Sequence, residues 1–243
     1  MKSTYQDALA SYGIGGAHPG GLHLTKQILQ NENISPNTTI LDAGCGTGQT
    51  SAFLAMEYNC QVTAIDHHLV MVEKAKQRFA REKLSISVTQ GSIEDIPFPD
   101  QSFDIVVAES VTAFTNIQKT LHEYYRVLKP HGILIDIDMT AEEQLSDEEK
   151  FHICTVYGMD NVLTEQEWIQ QMSSAGLYPV HILAGSSISN HLQQPQPMHD
   201  PEFHMSPNVT PDLVAILIAH NELTNLYGHL LGYRVFRAQK LDN

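Results

Sequence analysis

A glycine-rich loop is the part of this chain whose residue types and spacing are best suited to chemistry. Residues 40–48 read Ile-Leu-Asp-Ala-Gly-Cys-Gly-Thr-Gly, an apolar run that passes into glycines and then into a helical pattern. Glycines let the backbone approach a ligand closely, and the amides at the helix start can face it. Asp66 ends the next apolar run, where a carboxylate can accept hydrogen bonds from both hydroxyls of a ribose. Together, the two features predict a nucleoside pocket at the carboxyl edge of a sheet.

The glycine spacing separates two kinds of nucleotide ligand. A dinucleotide fingerprint requires G-x-G-x-x-G, whereas the third glycine here is Gly48 and position 49 is Gln. The spacing is one residue short, which argues for a ligand without a pyrophosphate at the loop. A nicotinamide-dependent oxidoreductase is therefore an alternative that the spacing disfavours, and a tight turn without function is the other alternative.

The elements that must hold this pocket follow the alternation of a βαβ fold. Short β-branched runs alternate with longer amphipathic stretches between about residues 40 and 138, which predicts a parallel sheet flanked by helices. The predicted strands are 39–43, 61–66, 85–90, 103–108, 133–138, 177–183 and 233–238. The predicted helices are 22–30, 50–58, 70–81, 117–128, 164–175 and 211–227. The turn at 129–132 ends the fourth helix, because proline cannot continue it.

Two segments lie outside this alternation. Residues 1–37, which carry five glycines between positions 13 and 21, are predicted to form a flexible N-terminal cap that leads into a helix. Residues 38–243 are predicted to form one domain with a lid-like insertion at about 184–228. Within it, residues 186–211 are rich in Pro, Ser, His and Gln and are expected to form a long loop. We expect Phe203, His204 and Met205 in that loop to border the substrate.

The stretch 38–138 resembles the class I S-adenosylmethionine-dependent methyltransferases that act on small molecules, through the motif D-x-G-C-G-T-G at residues 42–48. The resemblance implies a Rossmann-like, doubly wound α/β fold with a seven-stranded, mostly parallel sheet and an antiparallel last strand. It also implies S-adenosylmethionine as the methyl donor, S-adenosylhomocysteine as the product and a small-molecule acceptor. A regulatory module that binds the cofactor without catalysis is the alternative from another functional class. Neither the acceptor nor the oligomeric state follows from the sequence.

The resemblance also assigns cofactor contacts along the chain. The loop residues expected to wrap the methionine part are Asp42, Gly44, Cys45, Gly46, Thr47 and Gly48. Asp66 is expected to hold the ribose hydroxyls, and His67 to flank the adenine. Ser92 stands where the family has an acid that accepts from the adenine amino group, and Ile93 would pack beside the ring. Glu109, after the fourth strand, belongs to the segment that faces the methyl group and the acceptor in this family.

The N-terminal cap adds candidates of its own. Tyr12 is expected to touch the methionine carboxylate, and Gly20 to offer a backbone amide to the same anion at a helix start. His18 is the candidate general base, since histidine titrates near neutrality, and with Glu109 it makes up the predicted catalytic pair. An ordinary loop role for His18, one of 13 histidines, and a disordered tail for the whole segment are the alternatives.

Composition limits the partners and the compartment. The formal net charge of -14 makes a cationic track for nucleic acid improbable. Three widely spaced cysteines match neither a disulfide framework nor a metal site, which predicts a cytoplasmic protein. A signal peptide and an apolar run of about 18 residues are both lacking, so membrane insertion is not expected. No metal site is predicted, because the spacing of His191, His199 and His204 matches no ligand pattern.

Overall fold

Seven strands form one sheet in the computed structural model, which describes residues 3–194, 204–207 and 209–241. The strands are β1 (Thr39–Ala43), β2 (Gln61–Asp66), β3 (Ser87–Gln90), β4 (Phe103–Glu109), β5 (Leu128–Ala141), β6 (Leu177–Ser187) and β7 (Leu231–Lys240). Their order across the sheet is β3-β2-β1-β4-β5-β7-β6. Strands β1 to β5 are parallel, and β7 is antiparallel to both β5 and β6. The prediction of a mostly parallel sheet with an antiparallel last strand is confirmed.

Nine helices flank this sheet in the described part of the chain. They are α1 (Tyr5–Tyr12), α2 (Gly21–Leu29), α3 (Gln49–Tyr58), α4 (Leu69–Glu82), α5 (Ile117–Val127), α6 (Asp147–Tyr157), α7 (Glu165–Ser174), α8 (Ile188–Gln193) and α9 (Pro211–Tyr227). A 3₁₀ turn at Thr112–Phe114 follows β4. None of these helices combines the length and the apolar character that a bilayer crossing requires.

Two helices that the periodicity argument does not predict, α1 and α6, begin with capping boxes. Helix α6 begins inside a polar acidic stretch, where the Ser146 side chain and Glu149 form a capping box. Helix α1 begins in the same way, with Thr4 and Asp7. Such a box satisfies two backbone amides that the first helical turn leaves unpaired. These polar segments therefore form helices through their caps rather than through an apolar stripe.

The prediction of a long loop from residue 186 is wrong for residues 186–193, which belong to a strand and a helix. Strand β6 continues to Ser187, whose hydroxyl then accepts a hydrogen bond from the Asn190 amide and caps α8. Residues 195–203 and 208 lie outside the described residues, and with them Phe203 and His199. The described parts of 184–228 comprise the end of β6, α8, residues 204–207 and α9.

The N-terminal segment is tied to the rest of the fold at several points. Helix α1 packs against α9 and α4. The His204 amide donates to the Gly13 carbonyl at 3.0 Å, and the Ser206 amide donates to the Ser11 carbonyl at 2.7 Å. The Lys74 ammonium donates to the carbonyls of both Ala10 and His204. Helix α1 and residues 204–207 are thus held together beside α4.

The central strands are buried on both faces, as expected for a parallel sheet covered by helices. On one face Leu41, Val106 and Leu134 pack with residues of α5 and α7, including the fully buried Trp168. The other face packs against α2 and α3. Strand β1 pairs with β2 on one side and with β4 on the other, so the strand order reverses direction at β1 and β4. Ligands of open α/β sheets bind beyond the carboxyl ends of strands at such a point.

Candidate active site

A cavity of about 1110 Å³ opens at the carboxyl ends of β1, β2, β4 and β5. Its lining comes from the loop between β1 and α3, the start of α4, the residues after β4, and the N-terminal segment around positions 14–23. Helices α1, α6, α8 and α9 add residues that are distant in sequence. The cavity therefore joins a sheet edge to a covering layer of helices.

The three loop glycines have left-handed backbones, at φ values of 76°, 53° and 75°, for different reasons. A Cβ on Gly44 would lie 2.5 Å from the side chain of Val111, and one on Gly48 would lie 2.6 Å from the ring of Phe79. A Cβ on Gly46 would meet no atom within 4 Å. Gly44 and Gly48 therefore serve close packing, whereas Gly46 presents an open face to the cavity that it lines.

Asp66 connects β2 to this loop. One carboxylate oxygen accepts a hydrogen bond from the Gly46 amide at 2.8 Å, and the other accepts one from the His68 amide at 2.8 Å. The residue is buried but lines the cavity. His67, next in the chain, exposes 58% of its side chain, and its Nδ1 lies 3.9 Å from Asp66. The acid at the end of β2 thus orders the loop amide beside which a ligand would lie.

Asp42, at the end of β1, is the most deeply buried acid of the loop. The Ser51 hydroxyl donates to its carboxylate at 2.5 Å. Burial, with the nearby negative charge of Glu109, raises the pKa of Asp42 to about 7. The hydroxyl of Thr47 is buried in the same loop and has no hydrogen-bond partner among the described residues. The loop therefore retains a polar atom at the cavity that a ligand could satisfy.

Glu109 joins the end of β4 to the N-terminal segment. One of its oxygens accepts from the Thr25 hydroxyl at 2.5 Å, and the other accepts from the Thr50 hydroxyl at 2.6 Å. The His18 Nε2 lies 3.6 Å from the same carboxylate, and the histidine side chain is 1% exposed. The other ring nitrogen of His18 lies 3.3 Å from the Pro19 carbonyl. Two residues that are 91 positions apart therefore form one polar pair at the cavity.

Asp138, near the end of β5, is a cavity residue that the sequence analysis missed. Its carboxylate accepts from the Ala113 amide at 3.0 Å and from the Met139 amide at 2.7 Å. Burial raises the pKa of this carboxyl above its ordinary value. The sequence does carry a signal for this residue, namely an acid inside the apolar run at 133–138. A buried carboxylate needs hydrogen-bond or charged partners, so such an acid has a specific role.

The sequence analysis also missed four rings, three from the covering helices and one from the 3₁₀ turn after β4. They are Tyr5 of α1, Phe114 of the 3₁₀ turn, Tyr157 of α6 and His220 of α9, and all four line the cavity. The Tyr5 ring lies 5.0 Å from that of Tyr157, 5.2 Å from that of His220 and 6.1 Å from that of Phe114. No local motif identifies these residues, since each comes from a different element.

The cavity brings together ten of the predicted site residues. They are His18, Gly20, Asp42, Gly44, Cys45, Gly46, Thr47, Asp66, His67 and Glu109. Tyr12, Gly48, Ser92 and Ile93 do not belong to its lining. Tyr12 is the last residue of α1 and Gly48 packs on Phe79. Ser92 is exposed and Ile93 is buried in the core.

The described residues that were predicted to border the substrate do not line the cavity. His204 pairs with Gly13, Met205 is 63% exposed, and neither lines the cavity. His191 of α8 does line it. Among residues 3–194, 204–207 and 209–241, no group of three or more His, Cys, Asp or Glu side chains is arranged to hold a metal ion.

Comparison with known proteins identifies relatives of this chain. Residues 40–132 match the family described as "Methyltransferase domain". The chain is 37% identical over 238 residues to the "Uncharacterized methyltransferase YodH" of Bacillus subtilis, which covers 98% of this chain and 100% of that protein. It is also 33% identical over 119 residues to a demethylmenaquinone methyltransferase of Desulfitobacterium hafniense, covering 47% of each protein.

Solved structures share the fold at low identity. The Haemonchus contortus phosphoethanolamine N-methyltransferase 2 in complex with S-adenosyl-L-methionine superimposes with a TM-score of 0.76 at 16% identity. That match covers 98% of this chain and 58% of the other. A structure titled "a putative sarcosine dimethylglycine methyltransferase from Galdieria sulphuraria" gives a TM-score of 0.72 at 18% identity, covering 90% of this chain and 84% of the other.

Proposed function

Because this chain belongs to the methyltransferase family, we propose that it transfers a methyl group from S-adenosylmethionine to a small-molecule acceptor in the cavity at the sheet edge. The observation that carries the proposal is the unit formed by Gly46 and Asp66. The glycine has open space in front of it, and the acid at the end of the neighbouring strand holds its amide. An acid at this strand end can accept hydrogen bonds from the hydroxyls of a ribose.

The residues present fit S-adenosylmethionine. The unpartnered hydroxyl of Thr47 and the open face of Gly46 leave both a polar contact and space beside the loop. Each oxygen of Asp66 accepts a single described hydrogen bond and has further acceptor capacity for a ribose hydroxyl. When bound, the cofactor supplies a methyl group on a sulfonium, which is already activated for nucleophilic attack. We assign the ribose to Asp66 and the methionine part to residues 42–47 and the Gly20 region.

The remaining work of the protein is to orient the acceptor and to exclude water. Alignment of the acceptor with the bond that breaks can supply several kcal/mol of the barrier, roughly as in other proximity effects. The acceptor atom contributes the electron pair of the new bond to the methyl carbon. The pair of the broken S–C bond stays on sulfur, which leaves S-adenosylhomocysteine.

An acceptor that must lose a proton before or during attack needs a base, and His18 is our candidate. Its Nε2 lies beside the Glu109 carboxylate, which would stabilise the ring once it carries a positive charge. The two threonine hydroxyls that bind Glu109 hold this carboxylate in place. Glu109 would therefore act by positioning and charge, and His18 by accepting the proton. The assignments of Ser92 and Ile93 to the adenine, of Gly48 to the methionine part and of Tyr12 to its carboxylate stay predictions.

The experiment is calorimetric titration of the purified protein with S-adenosylmethionine, S-adenosylhomocysteine and NAD in parallel. We expect both adenosyl ligands to bind and NAD not to bind. Binding of NAD alone would favour the oxidoreductase alternative. Methyl transfer from labelled cofactor to a panel of small molecules then separates an enzyme from a module that binds the cofactor without catalysis.

The role of His18 has its own test. A His18→Gln variant should bind S-adenosylhomocysteine with nearly unchanged affinity but have a kcat about 10²–10⁴-fold lower, the usual contribution of a general base. A variant that keeps the kcat of the parent protein would contradict the assignment of the base.

A further inference from the structure

Three aromatic rings, two from the covering helices and one from the 3₁₀ turn after β4, form one wall of the cavity. Tyr5, Phe114 and Tyr157 all line it, and neighbouring rings lie with centroids between 5.0 and 6.4 Å apart. Aromatic side chains at these separations favour stacked or edge contacts with a further ring. None of these residues belongs to the glycine loop or to the neighbouring acid at the end of β2. The wall is therefore suited to a planar, apolar body other than the cofactor.

A chain of hydrogen bonds sets the polarity at one point of this wall. The Tyr157 hydroxyl lies 2.9 Å from Nδ1 of His220. We assign the phenolic proton to this bond with Nδ1 as its acceptor, which places the imidazole proton on Nε2. Burial lowers the pKa of His220 and raises that of Tyr157 to about 12, so both are neutral near pH 7.

The charges around the cavity disfavour an anionic acceptor. Among the described lining residues, Lys26 is the one lysine or arginine, and its ammonium lies 5.1 Å from the ring centroid of Phe53. Phosphate and carboxylate groups are usually bound by arginine forks or clustered cations, and no such group lines this cavity in the described part of the chain. A neutral imidazole N–H suits an uncharged oxygen and offers nothing to an ammonium, which has no lone pair.

We propose, on the premise of the methyl-transfer function above, that the acceptor is an uncharged aromatic hydroxy compound. Its ring packs against Tyr5, Phe114 and Tyr157, and its oxygen accepts a hydrogen bond from Nε2 of His220. The hydroxyl of Tyr157 acts through the histidine, which it positions.

The test uses binding to the protein saturated with S-adenosylhomocysteine, so that no turnover is needed. Three probes share one bicyclic ring and differ in charge: 2-naphthol, 2-naphthyl phosphate and 2-naphthylmethylamine. We expect calorimetry to show that 2-naphthol binds at least about tenfold more tightly than either charged probe, the factor for one hydrogen bond or one buried unpaired charge.

A matched pair of variants tests the hydrogen-bond chain. Tyr157→Phe keeps the ring and removes its bond to His220, so 2-naphthol should bind about 3- to 10-fold more weakly. Tyr227→Phe is the control, because Tyr227 makes an equivalent bond of 3.1 Å to His152 between the same two helices. Neither Tyr227 nor His152 lines the cavity, and this variant should bind 2-naphthol like the parent protein.

Two results would overturn the acceptor class while leaving the proposed function in place. One is that S-adenosylhomocysteine binds but a charged probe binds as tightly as 2-naphthol. The other is that the two tyrosine variants have equal affinity for 2-naphthol. A protein that does not bind S-adenosylhomocysteine would overturn the proposed function itself, and the acceptor class with it.

Discussion

Replacement of Gly46 by alanine tests the cavity in front of the glycine loop most directly. A Cβ at this position would meet no protein atom within 4 Å, so the fold has room for the methyl group. The backbone is left-handed, with φ at 53°, which costs a non-glycine residue about 1–2 kcal/mol. The variant should therefore fold with a Tm lowered by about 2–8 °C. The alanine amide still donates to Asp66.

Ligand binding should suffer more than the fold. The added methyl group lies in the space that we assign to the cofactor, and overpacking by one methyl group typically costs about 1–3 kcal/mol. The affinity for S-adenosylhomocysteine should then fall by about 5- to 150-fold. This loss of affinity is expected only if the cofactor occupies this face of the loop, because the added methyl group meets no protein atom within 4 Å.

Gly158→Ala is the matched control. Gly158 ends α6 with φ at 70°, a Cβ there would also meet nothing within 4 Å, and the residue does not line the cavity. It should lose a similar amount of stability and keep full affinity for S-adenosylhomocysteine. Thermal unfolding and calorimetric titration of both variants give the two quantities. Equal affinities in the two variants, with both folded, would refute our placement of the cofactor.

Three further perturbations follow from the same contacts. Asp66→Ala should weaken binding of S-adenosylhomocysteine by about 1–3 kcal/mol, the range for a lost hydrogen bond to a charged group. The control is Asp104→Ala, which removes an acid that accepts from the Thr39 amide at the other end of β4. This variant should keep the affinity of the parent protein in the same titration. Because the pKa of Asp42 is raised from 3.8 to about 7, the folded state binds more protons than the unfolded state between these values, so this residue makes stability fall as pH rises from about 4 to about 7. Asp42→Asn should remove that part of the slope in urea unfolding measured across this range, and an unaltered slope would contradict the raised pKa. Trp168→Ala should lower the free energy of unfolding by about 3–5 kcal/mol, since its side chain is fully buried, with denaturant titration as the measurement.

Local patterns in the sequence predict the sheet and the meeting of the glycine loop with Asp66 at its edge. Hydrophobic periodicity and the turn residues are local properties, and they predict β1 and β2 with the ends that the structure has. The glycine loop and Asp66 are separated by about 20 residues of one βαβ unit, whose geometry places the two at the same edge. The polar helices α1 and α6 escaped prediction because their stability begins with capping boxes, while their apolar periodicity is weak.

The remaining contacts at the cavity come from tertiary packing. The contact of His18 with Glu109 joins residues from a glycine-rich segment and a strand end, and no spacing rule connects them. Tyr157 and His220 meet because α6 and α9 pack together. Such contacts depend on how helices from separate parts of the chain cover the sheet, which is a property of packing rather than of local pattern. The part of the cavity lined by the covering helices is therefore visible only once the chain is folded.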